Sequence, residues 1–439
     1  MIAMVLFAFI TSTALSALVL YERYWVQGFL DNFTLLLTVG LSAFSIFCLV
    51  SLYALRFRKS DSLRNLWLGL VSIALSYSAA DVACGFLLIP PLSPSLVGDA
   101  IVHHRLLPNT HSALYSRDFS YIQRVNNLGV RGRDLEAKKA GGTVRIAMLG
   151  DSFTMGKGVQ DDETFSALLE KKLNLHSTRS IEILNAGVDS YAPILSFLQL
   201  RNQLLSYGPD LVILNLDMSD LLQELAYRQR AVYDSNGELS GIDGRLDQLH
   251  LTRTQKARNW INEHLYFSRL LVYYVQRWAH KTPGISVANV VGIANPAILA
   301  HTLNKGGTTA QRAQWAQLFT SISSIQSLCD AKDIPFLLTT YPWGHQVNDN
   351  EWLPGRFAFV TSEDIPSDTS LEHIREFTRA SDINFLDFFA KFRAYNGSGK
   401  LYYQYDMHWT PSGHELVADT FADYIRQHYS TLITERHTP

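Results

Sequence analysis

The chain has 439 residues, with 38 basic and 40 acidic side chains and a formal charge of −2. A protein that neutralises nucleic-acid phosphates needs a basic surplus, so this balance excludes a nucleic-acid partner. With 47% hydrophobic and 18% charged residues, a disordered chain is excluded as well. The charge is unevenly spread: residues 1–95 hold five basic and four acidic residues, and the remainder holds 33 and 36. That contrast predicts an apolar, membrane-embedded N-terminal region and a globular remainder.

Three apolar stretches, Met1–Tyr21, Phe33–Leu55 and Leu66–Ile89, are each long enough to cross a hydrocarbon core of about 30 Å as a helix. The first lacks the basic lead-in of a cleaved signal peptide. Between the second and third lie Arg56, Arg58, Lys59 and Arg64 against the single acid Asp61. Basic loops stay cytoplasmic, which places residues 56–65 inside and residues 22–32, with everything after about 90, outside. The expected setting is an inner or plasma membrane, with the bilayer itself as one partner. Asp81 sits within the third stretch, where a carboxylate is expected to bond to Ser76, Ser78 or a neighbouring helix. Cys48 and Cys84 fall in the membrane region, and Cys329 is alone outside it, so no disulfide is available within the globular part.

Domain boundaries follow from composition: a membrane domain at 1–90, a connector or collar at 91–142, and a catalytic domain at 143–439. The collar is rich in turn formers, including Asn126-Asn127-Leu128-Gly129-Val130-Arg131-Gly132. Phe119, Tyr121, Ile122, Leu128 and Val130 are expected to be buried in it. From Val144 onward strands and helices alternate. Strands are predicted at Arg145–Leu149, Ile181–Leu184, Leu211–Leu216, Pro335–Thr340 and Asn384–Leu386. Helices are predicted from about Asp162, at Ser196–Leu205, Gln314–Cys329 and Gly413–His428. This alternation predicts an α/β fold, a three-layer α/β/α sandwich on a parallel sheet, preceded by N-terminal transmembrane helices. An insertion at about 225–309, with an amphipathic helix at Leu265–Ala279, interrupts it.

In such a sheet the ligand site lies at the carboxyl ends of the strands. Ser152 follows the first strand in Gly150-Asp151-Ser152, and Gly187 follows the second in Asn185-Ala186-Gly187. Asp217-Met218-Ser219-Asp220 follows the third, and Asp406-Met407-His408-Trp409 lies just before the last helix. A serine hydroxyl needs a base within reach, and His408 can supply it; the other imidazole N–H needs an acceptor, which Asp406 can be. Ser152 as nucleophile, His408 as base and Asp406 as orienting carboxylate make a triad. His345 and His414 read as structural, and Asn396-Gly397-Ser398 as a turn. No His, Cys or carboxylate cluster has ligand spacing, so neither a metal nor another cofactor is expected.

These blocks resemble the SGNH (GDSL-type) hydrolase superfamily over about Val144–Tyr429. Gly150-Asp151-Ser152 matches its first block, and Asn185-Ala186-Gly187 its second, whose glycine amide donates to the oxyanion. Asp406-Met407-His408-Trp409 is similar to the last block of polysaccharide O-acetyltransferases. Asn127-Leu128-Gly129-Val130-Arg131 also resembles the lead-in of membrane-anchored bacterial members. The third block departs, since Asp217-Met218-Ser219-Asp220 stands where Gly-x-Asn-Asp is usual. Ser219 takes the place of the asparagine that donates to the oxyanion, with Asn215 as its competitor. The resemblance implies an oxyanion hole of Ser152, Gly187 and Ser219, with Asn215, Asp151 and Asp220 as further site residues. It also implies an extracytoplasmic serine esterase or O-acyltransferase acting on O-acyl groups, acetyl above all, of envelope or exported polysaccharide. An acylated carbohydrate or another ester is the expected substrate, and polysaccharide-biosynthesis membrane proteins are expected partners. Two other readings stay open: a lipase or thioesterase with the same triad, and a non-catalytic carbohydrate-binding component of an export machine.

Overall fold

The computed structural model describes residues 45–53, 61–87, 96–116, 118–244, 301–303, 309–358, 360 and 363–434, with residues 6, 10, 13, 56, 265 and 267. Most of the first and second apolar stretches and most of the helix expected at Leu265–Ala279 lie outside them. The chain divides into two compact units, residues 1–91 with 249–272, and residues 92–248 with 273–439.

In the first unit, helix α1 spans Asp61–Leu87. Its segment Asp61–Ala83 is the one stretch among the described helices long and apolar enough to cross a membrane. Leu66, Leu68, Ile73 and Val82 on it remain exposed, an apolar surface that water alone would penalise. Asp81 bonds to neither nearby serine. Its Oδ1 accepts the backbone N–H of Phe267 at 2.8 Å, while the Ser78 hydroxyl donates to the Ala74 carbonyl.

The second unit opens with two antiparallel pairs. Strands β1 (Leu96–Gly98) and β2 (His104–Leu106) pair, as do β3 (Thr110–Tyr115) and β4 (Ser120–Val125). The turn after β4 is held by Asn126, whose Oδ1 accepts the amides of Leu128 and Val130 and whose Nδ2 donates to the Arg133 carbonyl. Gly129 there has φ +77°, a conformation that costs glycine little. Tyr121, Leu128 and Val130 are buried as expected, but Ile122 is 54% exposed. Strand alternation sends Tyr121 and Gln123 inward and Ile122 outward, and this outweighs hydrophobicity at that position.

The sheet follows. In chain order the elements are β5 (Thr143–Gly150), α2 (Ser152–Met155), α3 (Phe165–Asn174), β6 (Ser180–Asn185), α4 (Pro193–Asn202), β7 (Leu211–Leu216) and α5 (Asp220–Arg228). A small hairpin, β8 (Ala231–Tyr233) and β9 (Leu239–Ile242), begins the insertion. Then come α6 (Thr309–Asp330), β10 (Phe336–Thr340), α7 (Thr369–Ala380), β11 (Asn384–Asp387) and α8 (Pro411–His428). The five strands β5, β6, β7, β10 and β11 are parallel, in the order β11-β10-β7-β5-β6. Strands β5 and β7 are buried along their whole length, as continuous apolar runs between two helical layers must be. Helices α3 and α8 pack together, and so do α4, α5 and α6. Pairing of Gly150 with Asn215, Met148 with Asn185 and Thr340 with Leu216 brings the carboxyl ends of four strands level. The loops that follow them therefore meet at one edge.

Candidate active site

Strand β5 delivers Ser152 through a turn that only glycine permits. Gly150 has φ +148°, and a Cβ there would lie 2.8 Å from the Asn215 carbonyl. Asp151 caps the short helix α2, its carboxylate accepting the Phe153 amide at 2.9 Å. Ser152 thus sits at the first helical position, where its own N–H has no partner within the helix. Its side chain is nearly buried, and its Oγ lies 2.7 Å from His408 Nε2.

His408 is carried by a loop closed on itself by an antiparallel bridge between Tyr402 and Trp409 and by the Tyr403 amide on the His408 carbonyl. Within it, Asp406 Oδ1 accepts both the His408 amide, at 3.0 Å, and the imidazole Nδ1. With Nδ1–H given to Asp406, Nε2 is left as an acceptor for the Ser152 hydroxyl. The imidazole packs on Phe153 at 4.6 Å between ring centroids, and Trp409 packs edge-on against the same Phe153. The residues that follow Ser152 and His408 therefore hold each other in place. Burial alone would raise the Asp406 carboxyl, but the charge and hydrogen bonds of His408, with Lys157 nearby, bring it below the ordinary value. The acceptor stays ionised.

The second and third blocks stand at the same edge. Gly187 is a glycine for want of room: a Cβ would collide with the Met155 backbone nitrogen and lie 2.7 Å from the Thr154 carbonyl carbon. Its amide faces Asn185 Oδ1 at 3.3 Å, long for such a bond, while Val188 N–H anchors the turn to the Gly150 carbonyl. Ser219 precedes α5 and is nearly buried, with its amide on Asp217 Oδ2 at 2.9 Å. Asn215 is fully buried inside the sheet. Its Nδ2 donates to Thr154 Oγ1 and its Oδ1 accepts from Thr339, so it is committed to tying strands together rather than to the site edge.

Residues 309–438 match the family model of the SGNH hydrolase-like domain of the acetyltransferase AlgX. The globular domain is SGNH hydrolase-like. Its chemistry is that of an ester-acting serine hydrolase or acyltransferase. The match spans α6 to α8 with the Asp406–His408 loop, and Ser152 and Gly187 lie before it. No curated protein matches the chain. Solved structures similar to it include an acetyl xylan esterase, AlAXEase, at 15% identity and TM-score 0.34, covering 64% of this chain and 100% of that one. A lipase/acylhydrolase from Enterococcus faecalis has 12% identity and TM-score 0.34, over 65% and 96%. A catalytic mutant of Axe2, an acetylxylan esterase from Geobacillus stearothermophilus, has 13% identity and TM-score 0.33, over 65% and 96%. Likeness at this level does not speak to substrate.

Next to Ser152 and Ser219 lies a feature that the spacing of residues did not show. Carboxylate oxygens of Asp151, Asp217 and Asp220, all buried, lie within 4.8 Å of one another. They are the described residues that could together hold a cation. Their surroundings suit a proton better. Asp217 receives the Trp343 indole N–H at 2.6 Å on one oxygen and the Ser219 amide on the other, so donors already point at it. Asp220 Oδ2 accepts the Asp217 amide, and its Oδ1 is buried without a partner. Like charges this close cannot all remain ionised away from water. Burial, and then the charge of Asp217, push the Asp151 carboxyl well above its ordinary value; burial and the charges of Asp151 and Asp217 do the same to Asp220.

His345 and His414 serve the scaffold. His345 Nε2 meets Thr302 Oγ1 at 2.8 Å, and burial lowers its pKa to about 4. His414 Nδ1 accepts the Phe165 amide, and burial lowers its pKa to about 3. Lys157, five positions after Ser152, pairs with Asp189 at 3.2 Å. Sequence reasoning passed over it because one lysine after a turn carries no signal; only its field at Asp406 marks it.

Proposed function

We propose that this protein is a membrane-anchored, extracytoplasmic serine esterase or O-acetyltransferase acting on acetyl esters of envelope or exported polysaccharide. The contact of Ser152 Oγ with His408 Nε2 at 2.7 Å, backed by Asp406, is the observation that carries this reading. In the reaction His408 takes the Ser152 proton as Oγ attacks the acyl carbon. The amides of Ser152 and Gly187 and the Ser219 hydroxyl receive the oxyanion. Collapse of the intermediate expels the sugar oxygen, which takes the proton from His408, and leaves an acetyl ester on Ser152. Either water or a second sugar hydroxyl, deprotonated by the same imidazole, then releases the acetyl group.

The acetyl preference is supported by the description of the matching family as an acetyltransferase. Membrane anchoring is supported by α1 and by the basic segment before it. An external catalytic domain would have access to acylated carbohydrate and to membrane proteins that build or export it. The test is acetyl release or transfer from an acetylated oligosaccharide by the full chain in detergent. Turnover by wild type with none by Ser152→Ala supports the reading; equal turnover by both overturns it. Orientation is tested separately with Leu175→Cys, 70% exposed in the globular unit. A membrane-impermeant thiol reagent applied to intact spheroplasts should modify it, and protection until lysis would reverse the topology.

A further inference from the structure

The triad acid is fixed by a residue that lies outside the SGNH-like blocks. Asp118 sits in the loop joining β3 to β4, in the collar. Its Oδ2 accepts two backbone amides of the catalytic loop, Tyr405 N–H at 2.8 Å and that of Asp406 itself at 2.6 Å. The collar loop is built to present that oxygen. Ser116 N–H bonds to the Phe119 carbonyl, and the Ser116 hydroxyl accepts the amides of Asp118 and Phe119. On the other side Phe119 packs on Tyr403 at 5.1 Å, and the Tyr403 hydroxyl donates to the Gly158 carbonyl at 2.8 Å. Gly158 leaves no slack there, because a Cβ would lie 2.7 Å from the Tyr403 ring and 3.1 Å from that of Phe119. A carboxylate and an aromatic clamp thus seat the collar against the loop of Asp406 and His408.

Without Asp118, the amides of Tyr405 and Asp406 would lose a charge-assisted partner, and the loop could relax by turning them towards other acceptors. The backbone of Asp406 would turn with them. Its carboxylate has one oxygen on His408 and the other buried without a partner, so little else holds it. We propose that Asp118 is a positioning residue for the triad, through which the collar sets the geometry of Asp406 and hence the tautomer and aim of His408. This rests on the triad reading above. Asp118 acts here as a hydrogen-bond acceptor, one oxygen taking both amides.

The experiment uses the full chain in detergent, p-nitrophenyl acetate as substrate and a serine-directed fluorophosphonate as an independent probe. Asp118→Ala should lower kcat and the labelling rate by about 10- to 100-fold, with KM changed by less than about twofold, the signature of a misaligned but still binding site. Asp118→Asn keeps an oxygen where both amides point and should stay within about threefold of wild type. Asp118→Glu keeps the charge but displaces the oxygen by a methylene, and should fall well below Asp118→Asn. If Asp118→Ala does not fold, the order of the Asn and Glu variants decides. The proposal is overturned if Asp118→Ala works at wild-type rate, if it raises KM alone, or if Glu restores activity while Asn does not. Failure of wild-type Ser152 to label would instead sink the triad reading itself.

Discussion

The site edge is closed by two kinds of loop. The loops bearing Ser152 and His408 are over-determined: Gly150 forces the first turn, the Tyr402–Trp409 bridge closes the second, and Phe153 packs on both Trp409 and the imidazole. The loop after β7 is different. It carries Ser219 where the resemblance leads one to expect an amide side chain, and its own Asp217 and Asp220 are buried together with Asp151, one Asp220 oxygen being unpartnered. Proton transfer from serine tolerates one geometry, whereas an oxyanion accepts any well-aimed donor. The one block that departs from the resembled pattern therefore lies where the chemistry is more permissive.

The largest effects should come from the rigid pair. Ser152→Ala and His408→Ala are each expected to lower kcat by a factor on the order of 10⁴ or more, without loss of fold, and the double variant should be little worse than either. Asp406→Asn should cost a factor on the order of 10⁴, because it favours the imidazole tautomer with Nε2 protonated. Steady-state kinetics alongside thermal unfolding check both. His408→Ala at wild-type rate would remove the distinction between the two loops.

Smaller effects belong to the β7 loop. Ser219→Ala should lower kcat by about 10- to 100-fold with KM little changed, since its hydroxyl meets charge only in the transition state. Ser219→Asn should preserve or raise kcat where the longer side chain fits. An unchanged kcat in Ser219→Ala would assign the third donor elsewhere.

Stability against pH sharpens the comparison further. A carboxyl raised in the folded state, as at Asp220, adds stability that is full below its unfolded value near 3.9 and lost as pH rises through its folded value. Asp189 and Glu224 are the other acids that face this cluster, Lys157 is the nearby base, and Tyr341 lies beside all three aspartates. Asp220→Asn keeps an acceptor for the Asp217 amide and puts an N–H₂ where the unpartnered oxygen was. It should therefore equal wild type in acid and exceed it, by about 1–3 kcal/mol, once pH has risen through the folded value of Asp220 and the ionised carboxylate is left buried and incompletely paired. Thermal unfolding of the full chain across pH reads this directly. A variant less stable than wild type at every pH would mean that the carboxylate is needed ionised.

Much of this was legible in the sequence, for local reasons. Gly150-Asp151-Ser152 and Asp406-Met407-His408 each encode their own turn and their own hydrogen bonds within two or three residues. The alternation of strands and helices did the rest by bringing strand ends together. What the sequence hid is what depends on distant pairs. Asp118 meets the loop of Asp406 and His408 across some 287 positions, and Asp151 meets Asp217 only through the pairing of β5 with β7. Asn215 looked available until the register placed its amide between Thr154 and Thr339. Ile122 looked like core until β4 turned it outward.

The central claim is that Ser152 is a nucleophile activated by His408. Its most direct measurement is the rate of labelling of the full chain by a serine-directed fluorophosphonate, with the adduct mapped by peptide mass spectrometry. The account predicts a single adduct on Ser152, lost in Ser152→Ala and slowed at least about a thousandfold in His408→Ala. An adduct on another serine, or equal labelling in wild type and His408→Ala, would contradict it.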